Sequence, residues 1–191
     1  MPKIVILRNY NWFARIILSR LSAPESNLTV VQISGDYRAQ TGLQSIFQLS
    51  TNMAFPYFLY KATTTLLTQH LNVYWDPVTS PSPVYRELYA PPPTLVVASC
   101  RSPFVRSFLS SISPDILLSV SCPQKIPPEF WESGISHALN VHCSLLPEFK
   151  VLAPYFCVLR HGQTATGVSV HSLTPKFDQG DIYAQTIVPI R

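Results

Sequence analysis

The residues best suited to chemistry are Asn140 and His142, two positions apart in the run Leu139-Asn140-Val141-His142. Side-chain direction in a strand repeats every two residues, so a carboxamide and an imidazole at this spacing face the same side and can meet one substrate. A side-chain amide donor suits an oxygen that gains negative charge in a tetrahedral intermediate, where such donors are worth roughly 3–4 kcal/mol. Imidazole, with an unperturbed pKa of about 6.5, suits proton transfer near neutrality. A lone pair of this kind at a strand end is more often satisfied by backbone. Its surroundings must decide whether it does chemistry.

The chain around the pair reads as alternating strands and helices. Residues 3–7 predict a first strand, 13–21 a helix and 28–33 a second strand, the pattern that opens a parallel α/β sheet. The turn after the first strand, Arg8-Asn9-Tyr10-Asn11, has no glycine. It is therefore not the Gly-x-Gly-x-x-Gly turn that lets backbone approach a pyrophosphate, and a dinucleotide cofactor is not expected. Residues 55–71 form an aromatic helix candidate assigned to core or interface, and 77–93 a Pro/Ser-rich loop. From 94 the rhythm is regular, with strands over 95–98 and 116–121 and helical spacing from Phe104 to Ile112. A helix is expected to start at Pro127-Pro128, since proline is tolerated in a first turn. The strand over 138–141 delivers the pair, 154–160 is a helix, and 168–173 and 182–188 alternate like antiparallel strands at a sheet edge.

Composition narrows the class. With 191 residues, 47% hydrophobic and 13% charged, the chain suits one well-buried domain over 1–191 with no C-terminal accessory domain. No apolar run approaches the roughly 20 residues needed to span a bilayer, and no signal peptide is recognisable, so a cytoplasmic, soluble protein without membrane partners is expected. Cys100, Cys122, Cys143 and Cys157 show no Cys-x-x-Cys spacing and are expected to be reduced and mostly buried, with no metal site. The net charge of +4 is spread out rather than gathered into a basic stripe, so charge does not argue for RNA.

The wider segment Asn140-Val141-His142-Cys143-Ser144-Leu145-Leu146-Pro147 resembles the Asn-x-His-x-Ser-Leu-Leu-Pro signature of the folate-dependent formyltransferases. That family includes methionyl-tRNA formyltransferase, glycinamide ribonucleotide transformylase and the sugar N-formyltransferases. Phe177-Asp178-Gln179-Gly180-Asp181-Ile182 resembles its Leu-Asp-x-Gly-x-Ile element at the matching distance from the Asn. Thr166-Gly167-Val168-Ser169-Val170-His171 and Pro114-Asp115-Ile116-Leu117-Leu118-Ser119-Val120 resemble two of its strands. The resemblance covers residues 93–190. It implies a Rossmann-like, doubly wound α/β fold with a mostly parallel sheet of the formyltransferase type.

The resemblance also implies transfer of a formyl group from 10-formyltetrahydrofolate to a primary amine, either on a small molecule such as an amino sugar or on methionyl-tRNA. Asn140, His142 and Asp178 would be the catalytic trio. Asn140 would bind the formyl oxygen, His142 would act as general base and acid, and Asp178 would tune His142. The folate would lie against the backbone of Gln124, Lys125 and Ile126, closed by Pro127, and against the loop of Thr174, Pro175, Lys176 and Phe177 that leads into Asp178. The absent glycine-rich first loop counts against a glycinamide ribonucleotide transformylase. Cys143 stands where the family has glycine or proline, Glu148-Phe149-Lys150-Val151 where it has Arg-Tyr-Arg-Gly or similar, and Pro175-Lys176 where it has an acidic pair. A hydrolase releasing formate from the same folate, and a non-catalytic binding module, are the alternatives. The acceptor and the oligomeric state stay open.

Two other motifs are set aside. Arg160-His161-Gly162 matches the histidine-phosphatase motif, but that motif ends a first strand, whereas the register of the resemblance places it here on a helix-to-strand turn. Ser144 lies in no Gly-x-Ser-x-Gly elbow and is not expected to be a hydrolase nucleophile.

Overall fold

The computed structural model describes residues 2–9, 14, 17–18, 27–33, 94–132, 134–151 and 154–190. The aromatic helix candidate over 55–71, the Pro/Ser-rich segment over 77–93 and most of the first helix and its preceding turn lie outside the described residues. Within them the elements run β1 (Ile4–Asn9), β2 (Leu28–Ile33), β3 (Leu95–Val97), α1 (Pro103–Ile112), β4 (Ile116–Val120), a short 3₁₀ turn (Pro128–Phe130), β5 (His137–His142), α2 (Pro154–Arg160), β6 (Ala165–Ser172) and β7 (Ile182–Pro189).

The strands form one sheet in the order β3-β2-β1-β4-β5-β6-β7. The first five are parallel, and β6 and β7 are antiparallel to their neighbours. This is the doubly wound, mostly parallel sheet expected from the sequence. The reason is visible in β1, where Val5 and Leu7 join an apolar cluster on one face while Ile6 joins another. A strand buried on both faces needs a near-continuous apolar run, and Ile4-Val5-Ile6-Leu7 provides it.

One face is covered by α1, which sends Val105 and Leu109, one turn apart, against Val5, Leu7 and Leu117. Ser102 caps its N-terminus by accepting a hydrogen bond from the Phe104 N–H at 3.3 Å, and Pro103 follows in the first turn. Ser113 ends it in the left-handed region, its N–H donating to the Leu109 carbonyl at 3.0 Å. The other face holds Ala14 and Leu18, both helical and buried against Ile6, Val30 and Val120.

The structure departs from the expected elements at two places. The helix expected from Pro127-Pro128 is only the three-residue 3₁₀ turn. Phe130 anchors it in the core, and Gly134 turns at φ +104°, so the chain bends into β5 after a single turn. The cysteines are all free, yet only Cys100 is buried. Cys122 and Cys143 lie just beyond the ends of β4 and β5 and Cys157 lies on the short α2, where packing covers one side alone.

Candidate functional site

β5 ends with His142, and its parallel neighbours β4 and β1 end on the same side of the sheet. Ligands of open α/β sheets bind in the crevice outside the carboxyl ends of the strands. β6 returns antiparallel, with His171 directly opposite Asn140 and Ser169 opposite His142. The segment between β6 and β7 then bends back over the end of β5 and brings in Asp178.

Asn140, His142 and Asp178 meet there. The Asn140 Nδ2 donates to Asp178 Oδ1 at 3.4 Å, and the His142 Nδ1 lies 3.6 Å from Asp178 Oδ2. The other His142 nitrogen, Nε2, donates to the Phe149 carbonyl at 3.0 Å. An acceptor therefore stands at each side of the ring. His142 is 8% exposed and Asp178 remains partly open to solvent.

A fourth residue joins them. His171, 2% exposed, places its Nε2 3.1 Å from Asn140 Nδ2 and 3.4 Å from Asp178 Oδ1, and its Nδ1–H donates to the Ser172 carbonyl at 2.8 Å. The sequence by itself assigns His171 no functional role. The available signal was its period-two spacing from Ser169 on a strand facing β5, which becomes informative only once the β5–β6 register is known.

Burial pushes the Asp178 carboxyl up, but the hydrogen bond with His171 and the charges of His142, His171 and Lys150 outweigh it, leaving the group below its ordinary value. A carboxylate depressed in the folded state adds stability that is full above its unfolded pKa of about 4 and is lost as pH falls through the lower folded value. Asp178→Asn is accordingly expected to shrink the fall in melting temperature seen when pH is lowered below about 4, as followed by circular dichroism. Beside it, burial first and the Asp178 charge second push the Cys143 thiol up to about 11, so Cys143 stays a neutral thiol near neutrality.

The loop that delivers Asp178 is held by backbone geometry. Asp178 adopts φ +51°, a left-handed conformation that Asp tolerates better than most residues. Two residues on, a Cβ at Gly180 would overlap the Ser172 backbone carbonyl and hydroxyl, and the Ser172 hydroxyl accepts from the Asp181 N–H at 2.9 Å. Gly180→Ala is expected to push β7 away from the end of β6, displace Asp178 from Asn140 and lower the melting temperature, because the added Cβ meets backbone that cannot give way. A melting curve followed by circular dichroism would check it.

The turn after β5 is also built from side chains. Ser144 donates to the Glu148 carbonyl at 3.1 Å, while Ser169 donates to the Ser144 carbonyl at 2.6 Å and accepts from the Leu146 N–H at 3.0 Å. Gln185 reaches across from β7 to the Leu146 carbonyl and to Ser169 Oγ, both at 2.8 Å. The Leu146–Pro147 peptide is cis, and Phe149 adopts φ +53°. Ser144 is thereby occupied in holding the turn. His161 likewise sits at the end of α2, its Nδ1–H donating to the Cys157 carbonyl at 2.7 Å, with Gly162 turning at φ +62°.

Gln124, Lys125 and Ile126 form the loop after β4. The Gln124 side chain is committed internally, accepting from the Cys100 N–H and donating to the Ala98 carbonyl, both at 2.9 Å. Ile126 turns into the core. Lys125 reaches over the ring of Phe177, with Nζ 5.5 Å from its centroid, and so links this loop to the one preceding Asp178. Thr174 donates to the Lys176 carbonyl at 2.7 Å and bends that second loop, leaving Pro175, Lys176 and Phe177 exposed. A cleft of about 320 Å³ opens beside them, lined by Arg101, Lys125, Ile126, Pro127, Pro128 and Glu129.

Among the described residues, no helix is long and apolar enough to cross a membrane. Among curated relatives, the methionyl-tRNA formyltransferase of Lactobacillus delbrueckii subsp. bulgaricus is 36% identical over 83 residues, 44% of this chain and 26% of the relative. That of Listeria innocua is 39% identical over 82 residues, 43% of this chain and 26% of the relative. The matched stretch thus spans about a quarter of the length of these relatives. In fold, the chain is similar to phosphoribosylglycinamide formyltransferase from Anaplasma phagocytophilum, with a TM-score of 0.59 at 18% identity over 98% of this chain and 72% of that one. It is also similar to glycinamide ribonucleotide transformylase 1 from Symbiobacterium toebii, with a TM-score of 0.56 at 16% identity over 100% of this chain and 74% of that one. The family model described as formyl transferase matches residues 3–191, nearly the whole sequence, and the chain belongs to that family.

Proposed function

We propose that this chain transfers a formyl group from 10-formyltetrahydrofolate to a primary amine. The observation that carries the reading is the meeting of Asn140, His142 and Asp178 at the carboxyl end of β5 in a chain of this family. The folate supplies an activated formyl carbon. The residues around the cleft suit it: Pro127 and Pro128 and, beside Lys125, the Phe177 ring offer apolar surface for a flat heterocycle, and Arg101 and Lys125 offer positive charge for a carboxylate tail.

In this reading the incoming amine forms a bond to the formyl carbon and pushes the carbonyl electron pair onto its oxygen, and that pair returns as the bond from the carbon to the folate nitrogen breaks. His142 takes the proton that the amine nitrogen loses and returns it to the departing folate nitrogen. Asn140 offers its carboxamide to the formyl oxygen as that oxygen gains charge. Asp178, 3.6 Å from the ring, steadies the positive charge that His142 acquires. The acceptor is methionyl-tRNA or a small amine such as an amino sugar.

One contact favours a second reading, a folate-binding module without turnover. The Phe149 carbonyl occupies His142 Nε2, and it belongs to the segment where the sequence departs from the family pattern. Calorimetric titration with a stable 10-formyltetrahydrofolate analogue, with Asp178→Ala alongside, is the first test. Saturable binding followed by amine-dependent formyl loss supports the transferase. Binding without formyl loss supports the module, and formate release without amine marks a hydrolase. The absence of binding to folded protein overturns all three.

A further inference from the structure

We propose that Cys100 and Cys122 form a dithiol that hydrogen peroxide closes to a disulfide, and that closure draws in the walls of the neighbouring cleft and weakens binding there. The effect on binding rests on the folate reading above, whereas formation of the bond does not.

Cys100 follows β3 and Cys122 follows β4, so both stand at the carboxyl ends of parallel strands. β2 and β1 lie between those strands in the sheet, yet the two loops meet across the gap. Ser121 adopts φ +51°, a left-handed turn directly before Cys122. Gln124 then ties the loops together, accepting from the Cys100 N–H and donating to the Ala98 carbonyl. The sulfurs come to rest beside consecutive carbonyls of one segment, Cys122 Sγ 3.4 Å from that of Gln124 and Cys100 Sγ 3.5 Å from that of Lys125. The two thiols also hydrogen-bond each other, with Cys100 inside the core cluster and Cys122 packed against it.

Packing alone accounts for sulfur in a core; the mutual hydrogen bond adds reactivity. It holds the Cys100 thiol below its ordinary value against the effect of burial, with the Arg101 charge adding to it. The same bond, and burial after it, push the Cys122 thiol up. Cys100 is therefore the better nucleophile of the pair. Peroxide is close to water in size and reaches Cys100 past the partly exposed Cys122. The Cys100 sulfur attacks one peroxide oxygen, the O–O bond breaks, and the other oxygen leaves as water with the Cys100 proton, giving a sulfenic acid. The Cys122 sulfur then attacks the Cys100 sulfur, the S–O bond breaks, and the hydroxyl leaves as a second water with the Cys122 proton. The sulfurs supply the two electrons that reduce the peroxide.

A disulfide holds its sulfurs at about 2.05 Å, nearer than two thiols approach, so closure pulls the loop after β4 toward the loop after β3. Arg101 follows Cys100, Lys125 follows Gln124, and both line the cleft. Its walls move with the sulfurs.

The test is mass-spectrometric peptide mapping of the full chain without reductant, before and after brief exposure to equimolar hydrogen peroxide, with remaining thiols blocked by N-ethylmaleimide under denaturing conditions. A Cys100–Cys122 linked pair of peptides is expected after exposure, with Cys143 and Cys157 blocked. Calorimetry with the stable 10-formyltetrahydrofolate analogue is expected to show affinity about tenfold weaker in the oxidised protein, an ordinary size for coupling between sites, and dithiothreitol restores it. In Cys122→Ser, peroxide leaves the affinity as it was. Both thiols still open to maleimide after peroxide, or Cys100 carried on to a sulfinic acid without a link to Cys122, overturns the proposal. A link that leaves the affinity unchanged overturns its effect on the cleft. Should Cys122→Ser fail to fold, the map and the reversal by dithiothreitol in the unmodified protein decide. Failure of the folate reading would instead appear as absent binding in both redox states, with the linked peptides still formed.

Discussion

Replacing His142 by alanine is expected to lower kcat for formyl transfer by about 10²–10⁴-fold, the range that a positioned acid–base group supplies, while folate binding changes by less than about tenfold. The separation follows from the geometry. His142 engages Asp178 and the Phe149 carbonyl, whereas the cleft assigned to the folate is lined by Arg101, Lys125, Ile126, Pro127, Pro128 and Glu129. The truncation removes a ring that is nearly buried at the end of β5, yet its cross-strand partner Ser169 and the turn that Ser144 and Gln185 hold stay in place. Single-turnover kinetics beside calorimetry would separate the two effects. Equal activity in His142→Ala would remove the imidazole from the mechanism.

The second large effect is expected at Asn140. Asn140→Ala removes the side-chain amide held against Asp178 at the end of β5 and is expected to reduce kcat by about 10²–10³-fold, the cost of losing a donor aimed at a developing oxyanion. It also removes the hydrogen-bond partner that stands between His171 Nε2 and the Asp178 carboxylate. Measuring kcat and KM on one preparation checks it. A loss confined to KM would instead assign Asn140 to substrate affinity.

These effects converge on residues that were unevenly legible. Asn140 and His142 were readable because strand periodicity puts alternate residues on one side, and a strand ending in two polar groups among apolar neighbours stands out. Asp178 could be matched only through its Gly180-Ile182 context, since nothing local marks a carboxylate in a loop as belonging to a strand far earlier in sequence. The glycine itself has a physical cause in the structure, the Ser172 backbone it packs against. His171 and Ser169 look in sequence like polar interruptions of an edge strand. Their meaning depends on an antiparallel register that places them opposite Asn140 and His142.

The sequence alone determined the parallel strands of the sheet's centre, because β1 and β4 are short apolar runs and a strand buried on both faces needs such a run. It also determined the pairing of a carboxamide and an imidazole on one side of β5, since that follows from the pleat. The tertiary structure decided which distant groups close around that pair. The β5–β6 register brought His171 to Asn140, the bend before β7 brought Asp178 to both, and the turn at Phe149 set a carbonyl on His142. Those contacts join residues that are remote along the chain, and local propensity carries no information about which remote groups become neighbours.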